Sequence, residues 1–297
     1  MCNAQRDFPF LFVEYDSAWT YGNLKLIPVR YKDEGHGMNS TLYRDFVTLN
    51  SAMKNKKFTI SEVKTREGAD VNVLQVRNRT GKPVIIHTGE LISGGKQDRV
   101  SGETIIVPHM QENQYLNVYC SEKGRWDKRG KRFAYDGFAD ASVRRAVDKD
   151  RQQQHVWKSI SDLYTKHNLS VETWAYKNLK PARKPAIEKD YETYFLGKWR
   201  QSDSAYAGFI AVTGNRIITV DLYAHELLTQ QFFPNLLGGY IRSAVEEGEV
   251  PNISTVEVDN FMTPLLSDAK TRDAFLMKHG RAFRFIDRVI HITAHGN

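Results

Sequence analysis

Phe209-Ile-Ala-Val-Thr-Gly-Asn-Arg-Ile-Ile-Thr-Val220 sets two β-branched runs, Phe209–Val212 and Ile217–Val220, on either side of Gly214-Asn215. Gly at the first position of a two-residue loop supplies the positive φ of a type II′ turn. Such a turn twists with the strands it joins, so the stretch predicts an antiparallel hairpin. The next segment, Leu227–Val245, is helical in pattern, with Leu237, Ile241, Ala244 and Val245 on one face. Pro234 is expected at the first turn of a second helical piece, where its missing N–H costs nothing. Thr271–His279 predicts a last short helix and Phe283–Thr293 a terminal strand.

Upstream, Leu24–Val29 reads as an opening strand, and Thr48 as the N-cap of a short helix to about Lys56. Phe58–Val63, Val71–Arg77, Val84–Ile86, Thr104–Val107 and Tyr115–Cys120 are short strands, with a turn at Asn78–Gly81. Their spacing predicts antiparallel pairing in a sandwich-like β region. From Phe138 to His167 the pattern is helical: Val156, Ile160 and Leu163 fall at i, i+4 and i+7. Lys177–Lys189 is a basic connector carrying Pro181 and Pro185. The fold class is α+β: an antiparallel, sandwich-like β region with a helical insertion, then a hairpin-plus-helix α+β part. Residues 20–297 read as one domain, divisible into halves 20–175 and 190–297, with residues 1–19 an N-terminal extension.

Among 297 residues the apolar fraction of 41% supports a sizeable core, and the formal net charge of +7 suits an anionic partner. Two cysteines, Cys2 and Cys120, exclude a disulfide framework and a cysteine-rich zinc site. No apolar run approaches the roughly 20 residues of a membrane-spanning helix. Small residues at Cys2 and Ala4 resemble the tail of a trimmed export leader, and a plain cytoplasmic start fits equally, so both locations stay open. The oligomeric state is not legible.

Chemistry concentrates in Gly89-Glu-Leu-Ile-Ser-Gly-Gly-Lys-Gln-Asp-Arg-Val100. A Walker A loop fails here, because Glu90 stands where its first Gly belongs and Gln97 where its hydroxyl belongs. The looser physics remains. Gly94 and Gly95 let backbone N–H groups approach an anion, Lys96 supplies a point charge, and Arg99 a bidentate fork. Gln97 can donate and accept, and Glu90 can act as an acid or base. The competing reading is a tight turn in which Glu90 and Arg99 pair for structure. A second cluster, Cys120-Ser-Glu-Lys-Gly-Arg-Trp126, adds Glu122 as another acid or base, with Arg125 and Trp126 to close a site.

Cys120 shares a strand face with Leu116 and Val118 and reads most simply as a small buried residue. Lys123–Arg151 mixes basic and aromatic residues, but Asp127, Asp136, Asp140, Asp148 and Asp150 dilute its field and argue against nucleic acid. His291 and His295 are four apart in a strand, too far to share an ion. No cofactor or metal signature stands out.

The order of these motifs resembles a prokaryotic family, the ARG and rhodanese-phosphatase-superfamily-associated protein domain. The resemblance rests on Asn78, Pro83-Val84, the block from Gly89-Glu90 to Gly95-Lys96-Gln97 and Arg99, Val107-Pro108, Val118 to Trp126, Val156-Trp157 and the Gly208–Asp221 hairpin. It covers roughly residues 20–295. No reaction comes with it. It implies neighbourhood with enzymes acting on ADP-ribose adducts and phosphates. The expectation is therefore binding or processing of an anionic, phosphorylated or ADP-ribose-like small molecule. The alternative is a non-catalytic structural or protein-interaction domain.

Overall fold

The opening strand does not join the β region that follows it. In the computed structural model, which describes residues 7–32, 43–65, 68–124, 130–169, 174–179, 185–203 and 205–296, it pairs with the C-terminal hairpin. Two units result, one from residues 1–44 with 186–297, the other from residues 45–185.

The first unit begins with β1 (Leu11–Val13), β2 (Trp19–Tyr21) and β3 (Leu24–Tyr31). The second unit comprises β4 (Val47–Thr48), α1 (Leu49–Met53), β5 (Phe58–Thr65), β6 (Gly68–Asn78), β7 (Val84–Ile86), β8 (Glu90–Gly95), β9 (Arg99–Ser101) and β10 (Ile105–Val107). It continues through β11 (Gln111–Cys120), β12 (Glu122–Lys123), β13 (Lys131–Phe138), α2 (Ala141–Arg145), a π turn (Ala146–Asp150), α3 (Gln153–Lys166), β14 (Trp174–Ala175) and a 3-10 turn (Tyr176–Leu179). The chain returns to the first unit through α4 (Pro185–Gln201), β15 (Tyr206–Thr213), β16 (Arg216–Tyr223) and α5 (Glu226–Glu247). It ends with α6 (Thr255–Leu266), α7 (Ala269–His279), β17 (Gly280–Phe285) and β18 (Arg288–His295).

In the first unit a seven-stranded sheet runs β1-β3-β15-β16-β18-β17, with β2 also on β3. The hairpin of β15 and β16 is its centre. Thr213 pairs with Arg216 across Gly214-Asn215, and Gly214 alone of the two turn residues has positive φ, +51°. Trp199 of α4, Phe209 of β15 and Phe233 of α5 interlock, with centroids 4.6 Å apart for both Trp199–Phe233 and Phe209–Phe233. Beneath α5, the Asp221 carboxylate accepts from Tyr240 Oη at 2.7 Å and lies 3.0 Å from His291 Nε2.

The second unit is the sandwich-like part. A six-stranded sheet, β13-β8-β9-β11-β6-β5, shares a core with a three-stranded sheet, β10-β7-β4. Leu74, Ile92, Leu116, Val118 and Phe133 from the larger sheet pack with Val84, Ile86 and Val107 from the smaller. On the opposite face Leu91 and Val100 meet Val143, Val147, Val156, Ile160 and Leu163, so the helical insertion covers the outside. Thr48 caps α1 as its spacing predicts, accepting from Ser51 N–H at 3.1 Å.

Some readings are corrected. Residues 11–13 lie in the first sheet rather than in an extension, because Leu11 to Val13 pair with Tyr31 to Val29. The halves expected at 20–175 and 190–297 differ from the units found: one unit is the single stretch 45–185, and the other is discontinuous, since β3 bonds to β15. Helix α5 runs unbroken through Pro234, losing only the bond that its N–H would make. The terminal strand is a hairpin, β17–β18, turning at Ile286 and Asp287 with φ of +50° and +60°. Neither residue announces a turn of that kind. Within the basic connector, residues from Pro185 onward are helical, with Tyr191, Phe195 and Trp199 buried at four-residue spacing. Among the described residues no helix is long and apolar enough to cross a membrane.

The turn at Gly214 supplies a test. Gly214→Ala places a Cβ in left-handed backbone, and unfolding in urea should show a loss of about 1–2 kcal/mol. An unchanged midpoint would mean that the turn does not constrain the hairpin.

Candidate functional site

Register decides where the polar block points. Arg99 pairs with Ile92 on one side and Cys120 on the other, while Val100 pairs with Leu91 and Tyr119. Alternation sends the Ile92 row into the sandwich and the Leu91 row toward the helices. Arg99 is therefore inside, with no exposed surface. Its Nη1 donates to the Asp98 carbonyl at 3.2 Å, and Nη2 lies 3.9 Å from Glu62 Oε2, an ion pair too long for a hydrogen bond. Nε and Nη2 make no hydrogen bond.

The glycine pair is shaped by what lies against it. A Cβ on Gly94, at φ +113°, would sit 2.5 Å from the Arg132 carbonyl oxygen. One on Gly95, at φ +57°, would sit 2.2 Å from Phe133 Cζ. The donors expected to meet an anion are engaged within the chain. Gly94 N–H donates to Asp98 Oδ1 at 2.7 Å, and Lys96 N–H to Glu62 Oε1 at 2.8 Å. Glu62 belongs to β5, an edge strand, and Gly95 pairs with Lys131 of β13, the opposite edge strand. The larger sheet thus rolls until its two edges meet at this turn.

Glu122, also buried, accepts from Asp98 N–H at 3.3 Å through Oε2. Its carbonyl accepts from Gln97 Nε2 at 3.5 Å, and Gln97 Oε1 accepts from the Cys120 thiol at 3.3 Å. Burial pushes the Cys120 thiol above its ordinary value, with Arg99 opposing, so the sulfur is kept as a thiol rather than a nucleophilic thiolate.

Beside this core lies a narrow cleft of about 10 Å³, lined by Leu91, Ile92, Ser93, Asp98, Arg99, Ser121, Asp136, Tyr176 and Lys177. Lys177 Nζ is 2.6 Å from Asp98 Oδ2, its side chain 37% exposed. Tyr176 Oη donates to Asp140 Oδ2 at 3.0 Å and accepts from Asp140 N–H at 2.9 Å, which fixes the ring.

Of the residues singled out in sequence, Gly94, Gly95, Gln97, Arg99 and Glu122 gather in one polar cluster, and among these Arg99 lines the cleft. Lys96 is partly exposed beside it. Glu90 begins β8, fully buried and outside the cleft lining. Instead of pairing with Arg99, its Oε2 accepts from His87 N–H at 2.9 Å, and Oε1 has no hydrogen bond. Arg125 and Trp126 lie outside the described residues, as does Cys2. Sequence reasoning missed Glu62, Asp98, Ser121, Asp136, Tyr176 and Lys177. Asp98 sat within the block and Lys177 opened the basic connector, but nothing local joins two residues so far apart. Among the described residues no group of three or more His, Cys, Asp or Glu side chains could hold a metal ion.

The model of the ARG and rhodanese-phosphatase-superfamily-associated protein domain matches residues 12–296, and the chain belongs to that family. No curated protein and no solved structure matches it.

Glu90 makes the stability of the protein depend on pH. Burial raises its carboxyl from 4.5 to about 8, against the opposing His87 N–H. A raised carboxyl pKa favours the protonated folded form. Its contribution is therefore whole below about pH 4.5 and is lost as pH rises toward about 8, a change on the order of 5 kcal/mol. Glu90→Gln keeps the shape and the acceptor for His87. Urea midpoints across that window should fall with pH in the wild type and flatten in the variant. Parallel curves would show that Glu90 is not the titrating group.

Proposed function

We propose that the second unit binds the anionic head group of a phosphorylated or ADP-ribose-like small molecule at the mouth of the cleft beside Asp98 and Lys177. The observation that carries this reading is that two cationic residues from distant parts of the sequence, Arg99 and Lys177, line one small cleft with Ser121. A partly exposed ammonium suits a phosphoryl or carboxylate oxygen, while the Arg99 guanidinium behind it is buried at ion-pair distance from Glu62. Size limits the claim. At about 10 Å³ the cleft has room for roughly one water molecule, far below the roughly 300–1,000 Å³ that enclose a whole ligand, so one anionic oxygen would be held at its mouth beside Lys177 and the remainder of the ligand lies outside.

An arriving anion competes with Asp98 for Lys177. Where hydrolysis or group transfer follows, Asp98 and Asp136 are the carboxylates on the cleft wall. Glu122 stands behind them, bonded to the Asp98 N–H. The family name, which couples this domain with rhodanese-phosphatase-superfamily proteins, supports a phosphate-bearing ligand by association only.

A second reading, a non-catalytic structural or interaction domain, is favoured by a different observation: the Gly94 and Lys96 N–H groups already hold internal carboxylates. Two variants separate the readings. Lys177→Ala should weaken phosphate, pyrophosphate and ADP-ribose binding by about tenfold or more, the scale of one lost ionic contact, and should lower the melting temperature, because the buried Asp98 carboxylate loses its ion pair. Lys96→Ala with Arg99→Ala should abolish that binding. Calorimetric affinities that do not move in either variant would exclude the cleft. A large loss of stability in the double variant, with no ligand bound by the wild type, would establish the structural reading.

A further inference from the structure

Next to the cleft a lysine side chain sits against two indoles. Lys123 Nζ lies 5.4 Å from the ring centroid of Trp157 on α3 and 5.3 Å from that of Trp174 on β14. Both rings are half-buried and Lys123 is exposed. An ammonium within about 6 Å of two indole faces meets the geometry by which aromatic side chains bind cations.

The position of this pair follows from the β12–β14 ribbon. Lys123 pairs with Trp174 and Glu122 with Ala175, and Tyr176 N–H donates to the Ser121 carbonyl at 2.9 Å, continuing the pairing by one rung. Ser121 and Tyr176 line the cleft. Side chains alternate along a strand, so Ser121 shares a face with Lys123, and Tyr176 with Trp174. The indole pair is thus two rungs, or about 7 Å, from the cleft along one face of one ribbon.

Resting on the anion reading above, we infer that the Trp157–Trp174 pair is a cation subsite, so that the ligand class is zwitterionic: an anionic group at the cleft mouth joined by a short link to a quaternary ammonium. Lys123 fills the subsite in cis and yields it to the ligand. A quaternary ammonium suits the site because it has no N–H to satisfy and needs only apolar, electron-rich faces. Lys123 can leave at little cost, since it is exposed and its ammonium is as well served by water.

Three probes and one variant test this by calorimetry and tryptophan fluorescence: inorganic phosphate, phosphocholine and tetramethylammonium, with Lys123→Met to empty the subsite. Phosphocholine should bind Lys123→Met at least tenfold tighter than phosphate does, and wild type by a smaller margin. Tetramethylammonium should change the fluorescence of Lys123→Met. Trp174→Leu on that background should remove both effects, with phosphate affinity retained, and Trp174→Phe should restore part of them. Equal affinities for phosphocholine and phosphate in Lys123→Met, with no response to tetramethylammonium, overturn the inference. Failure of phosphate to bind would instead remove the anion reading, and tetramethylammonium would still decide the indole pair. Sedimentation with phosphatidylcholine vesicles assigns the source. Co-sedimentation marks a bilayer head group, and phosphocholine binding without it marks a free metabolite.

Discussion

Asp98 uses every polar group that it has. Its Oδ1 takes the Gly94 N–H, its Oδ2 faces Lys177 Nζ, and its own N–H goes to Glu122. Its carbonyl accepts from Ser121 N–H at 3.0 Å and from Arg99 Nη1. One buried residue thereby joins the turn between β8 and β9, the end of β11, the β12–β14 ribbon and the 3-10 turn that follows it. A buried carboxylate is costly unless it is paired and hydrogen-bonded, and here both conditions are met. Removing any partner would leave charge in a place that water does not reach.

The same constraint explains the glycines. β13 crosses close enough for a Cβ on Gly94 or Gly95 to overlap the Arg132 carbonyl or the Phe133 ring. The positive φ values turn the backbone so that its N–H groups face Asp98 and Glu62. Glu62 ties the opposite edge of the sheet to that turn, and Arg99 sits behind it at ion-pair distance. Polar residues that read as a ligand cradle are, for the most part, the means by which a rolled sheet closes. What is left for a ligand is the margin: Lys177, Ser121, the cleft wall, and the indoles beyond them.

Much of the secondary structure was legible because its cause is local. The Gly214 turn, the Thr48 cap and the periodic faces of α3 and α5 depend on neighbours a few residues away. Where a local rule failed, the compensation lay elsewhere. Ile286 and Asp287 adopt left-handed backbone because β17 and β18 pair on either side, and Pro234 stays helical within a long helix packed on β15 and β16. The buried face of α4 was written at Tyr191, Phe195 and Trp199, but the prolines just before it read as a break.

For the site, the sequence determined which chemistry is present: a dense polar block, two glycines demanding unusual backbone, and the residues that mark the family. Tertiary structure alone decided what that chemistry faces. Alternation buries Arg99 because β9 lies between β8 and β11, a fact of strand order that no spacing encodes. Glu62 and Lys177, 34 and 81 residues from Lys96, come to the same turn through sheet closure and a two-rung ribbon. Hydrogen bonds and ion pairs are short-range, so a residue acquires its role only when folding has chosen its neighbours.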